Sequence, residues 1–157
     1  MLSQVKESRQ KGFTIIEVLI VLAIAGLILL VVFLAVPALQ RNSRNQQYRA
    51  EASRILSGAQ EFINNNNGTL PVSADAATIL GNANSKNITA LTVTNPGTTT
   101  AVTPTLAAAT IETGVTCGTV SGTTVTPSTT NAPARSLILI YGVEKNDGSV
   151  LAQCTAS

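Results

Sequence analysis

The chain has 157 residues and a mass of 16.2 kDa, enough for one domain with an appendage but too few for two enzymatic domains. It contains no histidine, which excludes imidazole acid–base catalysis and histidine ligands to a metal. The net charge of +2 lies in residues 1–12, and the remaining residues sum to zero. A neutral body lacks the basic surface of a nucleic-acid binder, so we expect no nucleic-acid partner, and we expect no cofactor or metal either.

Residues 13–36 form an apolar run whose only charged residue is Glu17. As a helix this run is long enough to cross the hydrocarbon core of a membrane. The alternative is a cleaved secretory signal, with basic residues in front and a small-x-small site at Ala23 and Ala25. Cleavage after Ala25 would leave a second apolar run at the start of a soluble product, so the pattern favours a membrane-spanning helix.

Residues 37–64 continue the helical pattern but are amphipathic. Apolar residues spaced three or four positions apart form one stripe, which consists of Tyr48, Ala52, Ile55, Ala59 and Phe62. Arg49, Ser53 and Gln60 fall on other faces. We expect this half of the helix to pack on a sheet and to end at residues 64–68, where four asparagines and a glycine favour turn conformations.

Residues 65–157 are rich in Thr, Ala, Asn and Gly and contain short β-branched segments typical of strands. We predict strands at residues 88–94, 110–120, 136–143 and 150–154, a hairpin turn at residues 146–148, and long loops at residues 95–104 and 121–133. The predicted fold class is α+β: a long N-terminal helix, apolar in its first half and amphipathic in its second, packed on a small antiparallel β-sheet head (residues 65–157).

The two cysteines, Cys117 and Cys154, both lie in the head. An even count in a small Thr- and Gly-rich domain favours a disulfide in an oxidising compartment, and two free buried thiols are the alternative. Basic residues flank the apolar run on both sides, so their count does not decide the orientation in a membrane. A disulfide would place the head, with its disulfide-bounded C-terminal region, outside the cytoplasm.

The start of the apolar run resembles the class III signal of type IV pilins and pseudopilins. The residues that carry the resemblance are Lys11, Gly12, Phe13, Thr14, Ile15, Ile16 and Glu17, followed by a long aliphatic stretch. The resemblance implies that a prepilin peptidase cuts between Gly12 and Phe13 on the cytoplasmic side of the membrane and methylates the new amine of Phe13. The leader, residues 1–12, would be removed, and the apolar helix would remain as the anchor with the head outside.

Three further helix positions follow from this resemblance. A carboxylate is costly in a membrane helix, so Glu17 is by default a functional residue. In the family the corresponding carboxylate pairs with the N-terminal amine of a neighbouring subunit, which here implies assembly roles for Glu17 and Phe13. Gly26 and Pro37 are the expected helix-break positions, although the family's proline usually falls about one turn earlier than Pro37.

The sequence leaves several functions open. The first is a type IV pilin that polymerises with itself into a cell-surface filament for adhesion, motility or uptake, with the inner membrane and its pilus assembly machinery as further partners. The second is a pseudopilin of a type II secretion or DNA-uptake system, and the third is a monomeric membrane-anchored binding domain. An enzyme is disfavoured, because Ser85 beside Lys86 is the only dyad-like pair. A Ca²⁺ site is disfavoured too, because its candidate ligands Glu144, Asn146 and Asp147 are few and turn-like.

Overall fold

A computed structural model of the chain describes residues 12–94 and 96–157. The elements in chain order are α1 (Ile15–Asn65), a 3-10 turn (Ser73–Asp75), α2 (Ala76–Asn82), β1 (Ala90–Thr94), β2 (Ala108–Thr113), β3 (Thr116–Ser121), β4 (Thr124–Ser128), β5 (Leu137–Glu144) and β6 (Val150–Ala156). The chain divides into two compact units, Met1–Leu39, of which residues 12–39 are described, and Gln40–Ser157. The fold is α+β, as predicted.

The N-terminal unit consists of the first half of α1 and the three residues before it. All of its described residues are exposed, including the large aliphatic side chains of the apolar run. By length and composition α1 is sufficient to cross a membrane. An aliphatic surface of this size is unstable in water, so this segment needs lipid or other protein around it.

Gly26 and Pro37 do not interrupt α1, contrary to the expectation that the helix breaks there. Both residues lie inside the continuous helix. In a helix interior glycine costs about 1 kcal/mol and proline about 3 kcal/mol relative to alanine, and proline also lacks the N–H that would bond to the carbonyl of Phe33. The aliphatic residues that flank both positions propagate the helix past them, because extending a helix is much easier than starting one.

The C-terminal unit is built on a four-stranded sheet in the order β1-β2-β5-β6. β5 lies inside the sheet between β2 and β6, and all its residues except Glu144 are buried. The pairs β2–β5 and β5–β6 are antiparallel, and the predicted hairpin of the last two strands is present. The edge strand β1 runs parallel to β2, with residues 95–107 of the chain connecting the two strands.

One face of the sheet is covered by the second half of α1. The buried helix residues are spaced at three and four positions and include Ala52, Ile55, Ala59 and Ile63. They pack against the side chains of β5 that point to this face, Leu137, Leu139, Tyr141 and Val143. Of the predicted stripe, Tyr48 and Phe62 pack at its borders, half-buried, and Arg49, Ser53 and Gln60 are exposed as expected.

The other face of the sheet is covered by a two-stranded antiparallel ribbon made of β3 and β4, called the ribbon below. Its core joins Val115 and Val125 to Ile138 and Ile140 of β5 and to Ala152 of β6. Since alternate residues of a strand point to opposite faces, β5 supplies both cores. The sequence-based assignment was wrong here in two respects: the predicted strand over residues 110–120 is divided by Gly114, which has φ +67°, and the predicted loop over residues 121–133 contains β4.

The helix α2 and the 3-10 turn before it were not predicted. α2 has seven residues, and of these Ile79 alone is fully buried against the helix-side core. A helix this short has too few turns to display a periodic apolar pattern. Its position is fixed by tertiary packing of Ile79 and of Leu80 at the border of the core.

Candidate assembly site

The predicted cleavage bond joins two exposed residues outside any helix. Gly12, Phe13 and Thr14 precede α1, and the side chain of Phe13 is 89% exposed. A Cβ added to Gly12 would have no atom within 4 Å. The backbone around this bond is therefore open to a protease, whereas the other leader residues, 1–11, lie outside the described part of the chain.

Thr14 and Glu17 form a reciprocal cap at the start of α1. The backbone N–H and the hydroxyl of Thr14 both donate to Glu17 Oε2, at 2.9 and 2.8 Å, and the Glu17 backbone N–H donates to Thr14 Oγ1 at 3.4 Å. This is the capping box, in which a threonine and a glutamate three residues later satisfy each other's backbone N–H groups. The cap satisfies two N–H groups that would otherwise lack partners at the helix start.

The capping box uses one of the two carboxylate oxygens of Glu17. Within residues 12–94 and 96–157, Glu17 Oε1 accepts no hydrogen bond. The carboxylate is held one helical turn from the Gly12–Phe13 bond by a contact that needs no residue before Thr14. Cleavage at that bond would leave the capping box intact and create a positive amine on Phe13 close to it.

The head binds α1 near the beginning of the C-terminal unit. Arg44 Nε and Nη2 donate to Glu144 Oε2 at 3.0 and 2.7 Å. The side-chain amide of Asn45 donates to the carbonyl of Glu144 and accepts from its N–H, both at 2.8 Å. Glu144 lies beyond the last residue pair of β2 and β5, Thr110 with Ile140, so the amide of Asn45 satisfies backbone groups that no strand reaches.

A second contact holds α1 to the segment before β1. The Glu51 carboxylate is buried and accepts from the Ser85 hydroxyl at 2.6 Å, from the backbone N–H groups of Asn87 and Ile88 at 2.9 and 3.0 Å, and from the Asn87 side-chain amide at 2.7 Å. Burial raises the pKa of Glu51, but these hydrogen bonds outweigh it and lower the pKa to about 2. An ionised, fully hydrogen-bonded carboxylate therefore joins the helix to the head.

Replacing Glu51 should destabilise the C-terminal unit strongly. Glu51→Ala would leave four donors, one buried and three partly buried, without their acceptor, and we expect the free energy of unfolding to fall by about 3–5 kcal/mol. Glu51→Gln should cost nearly as much, because its NH₂ group would face other donors. Urea titration of the full chain in detergent micelles, followed by tyrosine fluorescence, measures this, since both tyrosines lie in the C-terminal unit and the chain has no tryptophan.

The pH dependence of this stability gives a second readout. The folded pKa of Glu51 is about 2 and its ordinary value is 4.5, so its contribution is complete above pH 4.5 and is lost as the pH falls toward 2. The Glu51→Gln variant should lose this acid-dependent part. Glu61→Gln, which removes an exposed carboxylate from the same helix, is the matched control. An unchanged acid profile in Glu51→Gln would contradict the assignment.

Cys117 of β3 and Cys154 of β6 form a disulfide, with their Cα atoms 5.8 Å apart. The bond joins the ribbon to the edge of the sheet across 37 sequence positions. Replacing both cysteines by serine should lower the free energy of unfolding by about 4 kcal/mol on the loop-entropy model, and we expect faster proteolysis of the ribbon. Limited digestion of native and variant protein with a nonspecific protease measures this. Thiol labelling of both cysteines in native protein without reductant would refute the bond.

Ser85 and Asp147, which the sequence analysis named as part of a dyad-like pair and as a candidate Ca²⁺ ligand, both form hydrogen bonds within the C-terminal unit. The Ser85 hydroxyl donates to Glu51 and belongs to the contact between α1 and the segment before β1. Asp147 accepts from the backbone and hydroxyl of Ser149 in the β5–β6 turn, and these hydrogen bonds lower the pKa of Asp147. Among the described residues, no group of three or more acidic or cysteine side chains is arranged to hold a metal ion.

Sequence reasoning missed most of these contacts. The Thr14–Glu17 capping box was readable, because a threonine followed three residues later by a glutamate marks a helix start. Glu51 adjoins the apolar stripe at helical spacing, which was a second signal. The contact of Arg44 and Asn45 with Glu144 had no signal, because about 100 positions separate the partners.

The N-terminal site coincides with a known sequence motif. Residues 8–33 match the family model described as the prokaryotic N-terminal methylation motif. The matched segment contains the Gly12–Phe13 bond, both capping residues and most of the apolar run. No curated protein and no solved structure gives a significant match to the chain. The N-terminal signal recognised in the sequence is therefore confirmed, and the match ends before the C-terminal unit.

Proposed function

We propose that this chain, whose N-terminal motif is a class III signal typical of type IV pilin-like proteins, is a pilin that polymerises through its apolar helix into a surface filament. The observation that supports the proposal is a combination on one helix: the methylation motif, an exposed aliphatic surface and a single capped carboxylate near the cleavage bond. The motif implies processing by a prepilin peptidase and assembly at the membrane.

The exposed aliphatic surface determines the two environments that the helix can occupy. Before assembly, residues 13–36 would lie in the inner membrane, with the head outside the cytoplasm, where the disulfide is stable. After extraction from lipid, this surface avoids water only by packing against the same segments of other subunits. The filament core would then be a bundle of apolar helices, with the heads around it.

Glu17 and Phe13 would provide the specific contact within this apolar bundle. The capping box fixes the carboxylate through Oε2 and leaves Oε1 free for a donor from outside the subunit. The methylated amine of Phe13 on a neighbouring subunit supplies a positive charge and N–H donors of matching chemistry. In a dry bundle each of these charges is costly alone, so the pairing would select the axial position of an incoming subunit.

A pseudopilin of a type II secretion or DNA-uptake system is the second candidate. The methylation motif and the apolar helix support it equally, because both kinds of subunit are processed and assembled in the same way. The two differ in the length and location of the fibre. A pilin builds long filaments on the cell surface, whereas a pseudopilin builds a short fibre that stays within the envelope.

Electron microscopy of sheared surface material tests the proposal. The source cells, or a host that expresses the chain with a pilus assembly system, are sheared, and antibodies against the head are used to label the released filaments. Long labelled filaments would support a pilin, and the same label confined to the cell envelope would support a pseudopilin. A processed chain that never crosslinks to a second copy would overturn both and favour a monomeric membrane-anchored domain.

A further inference from the structure

Glu112 of β2 is a fully buried carboxyl group on the ribbon side of the sheet. It lies opposite Ile138 in the antiparallel pairing with β5, and Ile138 belongs to the core under the ribbon. Its exposed fraction is 0%, and neither carboxyl oxygen has a hydrogen-bond partner within the described residues. A buried charge without a partner is strongly unfavourable, so this group is under pressure to stay neutral.

Within the described part of the chain, no charged group compensates Glu112. From β1 the Thr94 side chain lies beside it, but the Thr94 hydroxyl is directed to the carbonyl of Ile111 at 3.3 Å. The core on this face, which reaches Glu112 through the paired residue Ile138, is apolar and consists of Val115, Val125, Ile138, Ile140 and Ala152. Residues 96–107 carry no charge, and between Lys86 and Glu144 the sequence has one other charged residue, Arg135.

Arg135, the other charged residue in this part of the sequence, lies beside Gly68. Its guanidinium lies against Gly68 just beyond the end of α1, where a Cβ on that glycine would approach Arg135 Nη2 to 2.7 Å. β5 carries two titratable side chains. Tyr141 belongs to the core under α1, on the opposite face of the sheet, and Glu144, at the end of the strand, is paired with Arg44. Within the described residues, Glu112 is therefore a buried carboxyl group without a hydrogen-bond partner or a neighbouring charge.

We propose that Glu112 makes the closure of the ribbon over the sheet depend on pH, with the ribbon closed over the neutral carboxyl and loosened when the carboxyl ionises. Loosening admits water, which would supply the carboxylate with hydrogen bonds that it lacks in the closed state within the described residues. Burial raises the pKa of Glu112 to about 7, which an interaction with Thr94 offsets only in part. The transition therefore falls near neutral pH.

The direction of the effect follows from the two pKa values. Glu112 binds its proton more tightly in the closed state than in the open state, where its value returns toward 4.5. Closure is most favourable below pH 4.5 and weakens as the pH rises through 7. Linkage predicts that the fraction of open ribbon rises by tens of fold between about pH 5 and pH 8.

The disulfide limits how far the ribbon can move. It joins β3 of the ribbon to β6 of the sheet, so ionisation of Glu112 can loosen the ribbon without releasing it. The hydrogen bond from the Ala152 N–H to the carbonyl of Gly122 provides a second attachment, at the turn between β3 and β4. Reduction of the disulfide should therefore enlarge the effect of pH on the ribbon.

Hydrogen–deuterium exchange of the full chain in detergent micelles tests the proposal. Exchange is measured at about pH 5, 6.5 and 8, corrected for the intrinsic pH dependence of amide exchange. We expect protection of the β3 and β4 amides to fall by tens of fold over this range, while the amides in the second half of α1 change little. At about pH 6.5, where carboxyl groups of ordinary pKa are ionised, the infrared carbonyl band of a neutral carboxylic acid should be present in the native protein and absent from the Glu112→Gln variant.

Two variants make the test specific. Glu112→Gln keeps the size of the side chain and cannot ionise, so its ribbon protection should not depend on pH. If Glu112→Gln does not fold, Glu112→Leu replaces it in the same measurement. Glu61→Gln is the control for loss of an exposed carboxylate. Ribbon protection that is independent of pH in the native protein would overturn the proposal, as would an unchanged pH dependence in Glu112→Gln or Glu112→Leu. An equal loss of protection in α1 and the ribbon would indicate global unfolding and would also overturn it.

Discussion

A chain with Glu17→Ala should be inserted, cleaved and folded normally but should build at least about tenfold fewer filaments than the native chain. The substitution removes the carboxylate that would pair with the Phe13 amine of a neighbouring subunit and leaves that amine without a counter-charge in an apolar bundle. The Thr14 hydroxyl can still cap α1 in part, because its contact with the Glu17 backbone N–H does not involve the lost carboxylate. Filament mass in the sheared fraction measures the effect.

The controls separate assembly from earlier steps. The N-terminal mass of the variant reports cleavage, and non-reducing electrophoresis reports the Cys117–Cys154 bond. Glu17→Gln should be nearly as defective if charge is what matters, whereas Glu61→Ala, which removes an exposed carboxylate further along α1, should assemble normally. Filaments in native number from cleaved Glu17→Ala protein would exclude the pairing.

Co-expression with the native chain tests the pairing from its other side. A Glu17→Ala subunit keeps its Phe13 amine, and a native neighbour still offers Glu17 to that amine. The variant should therefore enter mixed filaments at a reduced share, with each incorporated copy flanked by native subunits. Complete exclusion of the variant from mixed filaments would show that Glu17 acts before subunits meet, contrary to the proposed contact.

A chain with Gly12→Val should accumulate almost entirely as full-length precursor. The position is open in the free chain, where an added Cβ meets no atom within 4 Å, so valine does not disturb the protein itself. Its branched side chain would obstruct the extended backbone that a peptidase must bind around the Gly12–Phe13 bond. Without cleavage there is no Phe13 amine, and filaments should be absent.

Mass spectrometry of membrane and surface fractions measures this effect. The native chain should begin with N-methylated Phe13, and the Gly12→Val chain with the leader. Gly26→Val is the matched control, because Gly26 also has no atom within 4 Å of an added Cβ and lies away from the bond. A mature N terminus at Met1 or Gly26 in native protein would contradict both the cleavage site and the proposed class of protein.

The sequence by itself determined the elements that depend on local pattern. A mostly aliphatic run of 24 residues is too long for a strand and long enough for a membrane-spanning helix, and its composition alone shows that it is poorly soluble in water. The apolar stripe at helical spacing correctly predicted the face of α1 that packs on the sheet, because this spacing can be recognised in the sequence without knowing what the helix packs against. The hairpin of β5 and β6 was predictable because its turn residues are adjacent in the chain.

The helix breaks expected at Gly26 and Pro37 show where local rules are insufficient. Each residue weakens a helix, but the outcome depends on the strength of the helix on both sides, which a single position does not reveal. The strand β4 was missed for a related reason. The sequence of this segment is Thr-rich and typical of a loop. It forms a strand because it pairs with β3 and because Val125 is buried against the apolar face of the sheet.

Only the tertiary structure decided the state of the acidic residues. Four hydrogen bonds stabilise the ionised form of Glu51 and lower its pKa, whereas burial without a partner favours the neutral form of Glu112 and raises its pKa. The hydrogen-bond donors to Glu51 lie 34 or more positions away in the chain, and the surroundings of Glu112 come from neighbouring strands and the ribbon. The free energy of a carboxylate depends on what surrounds it in space, and a sequence fixes those surroundings only through the complete fold.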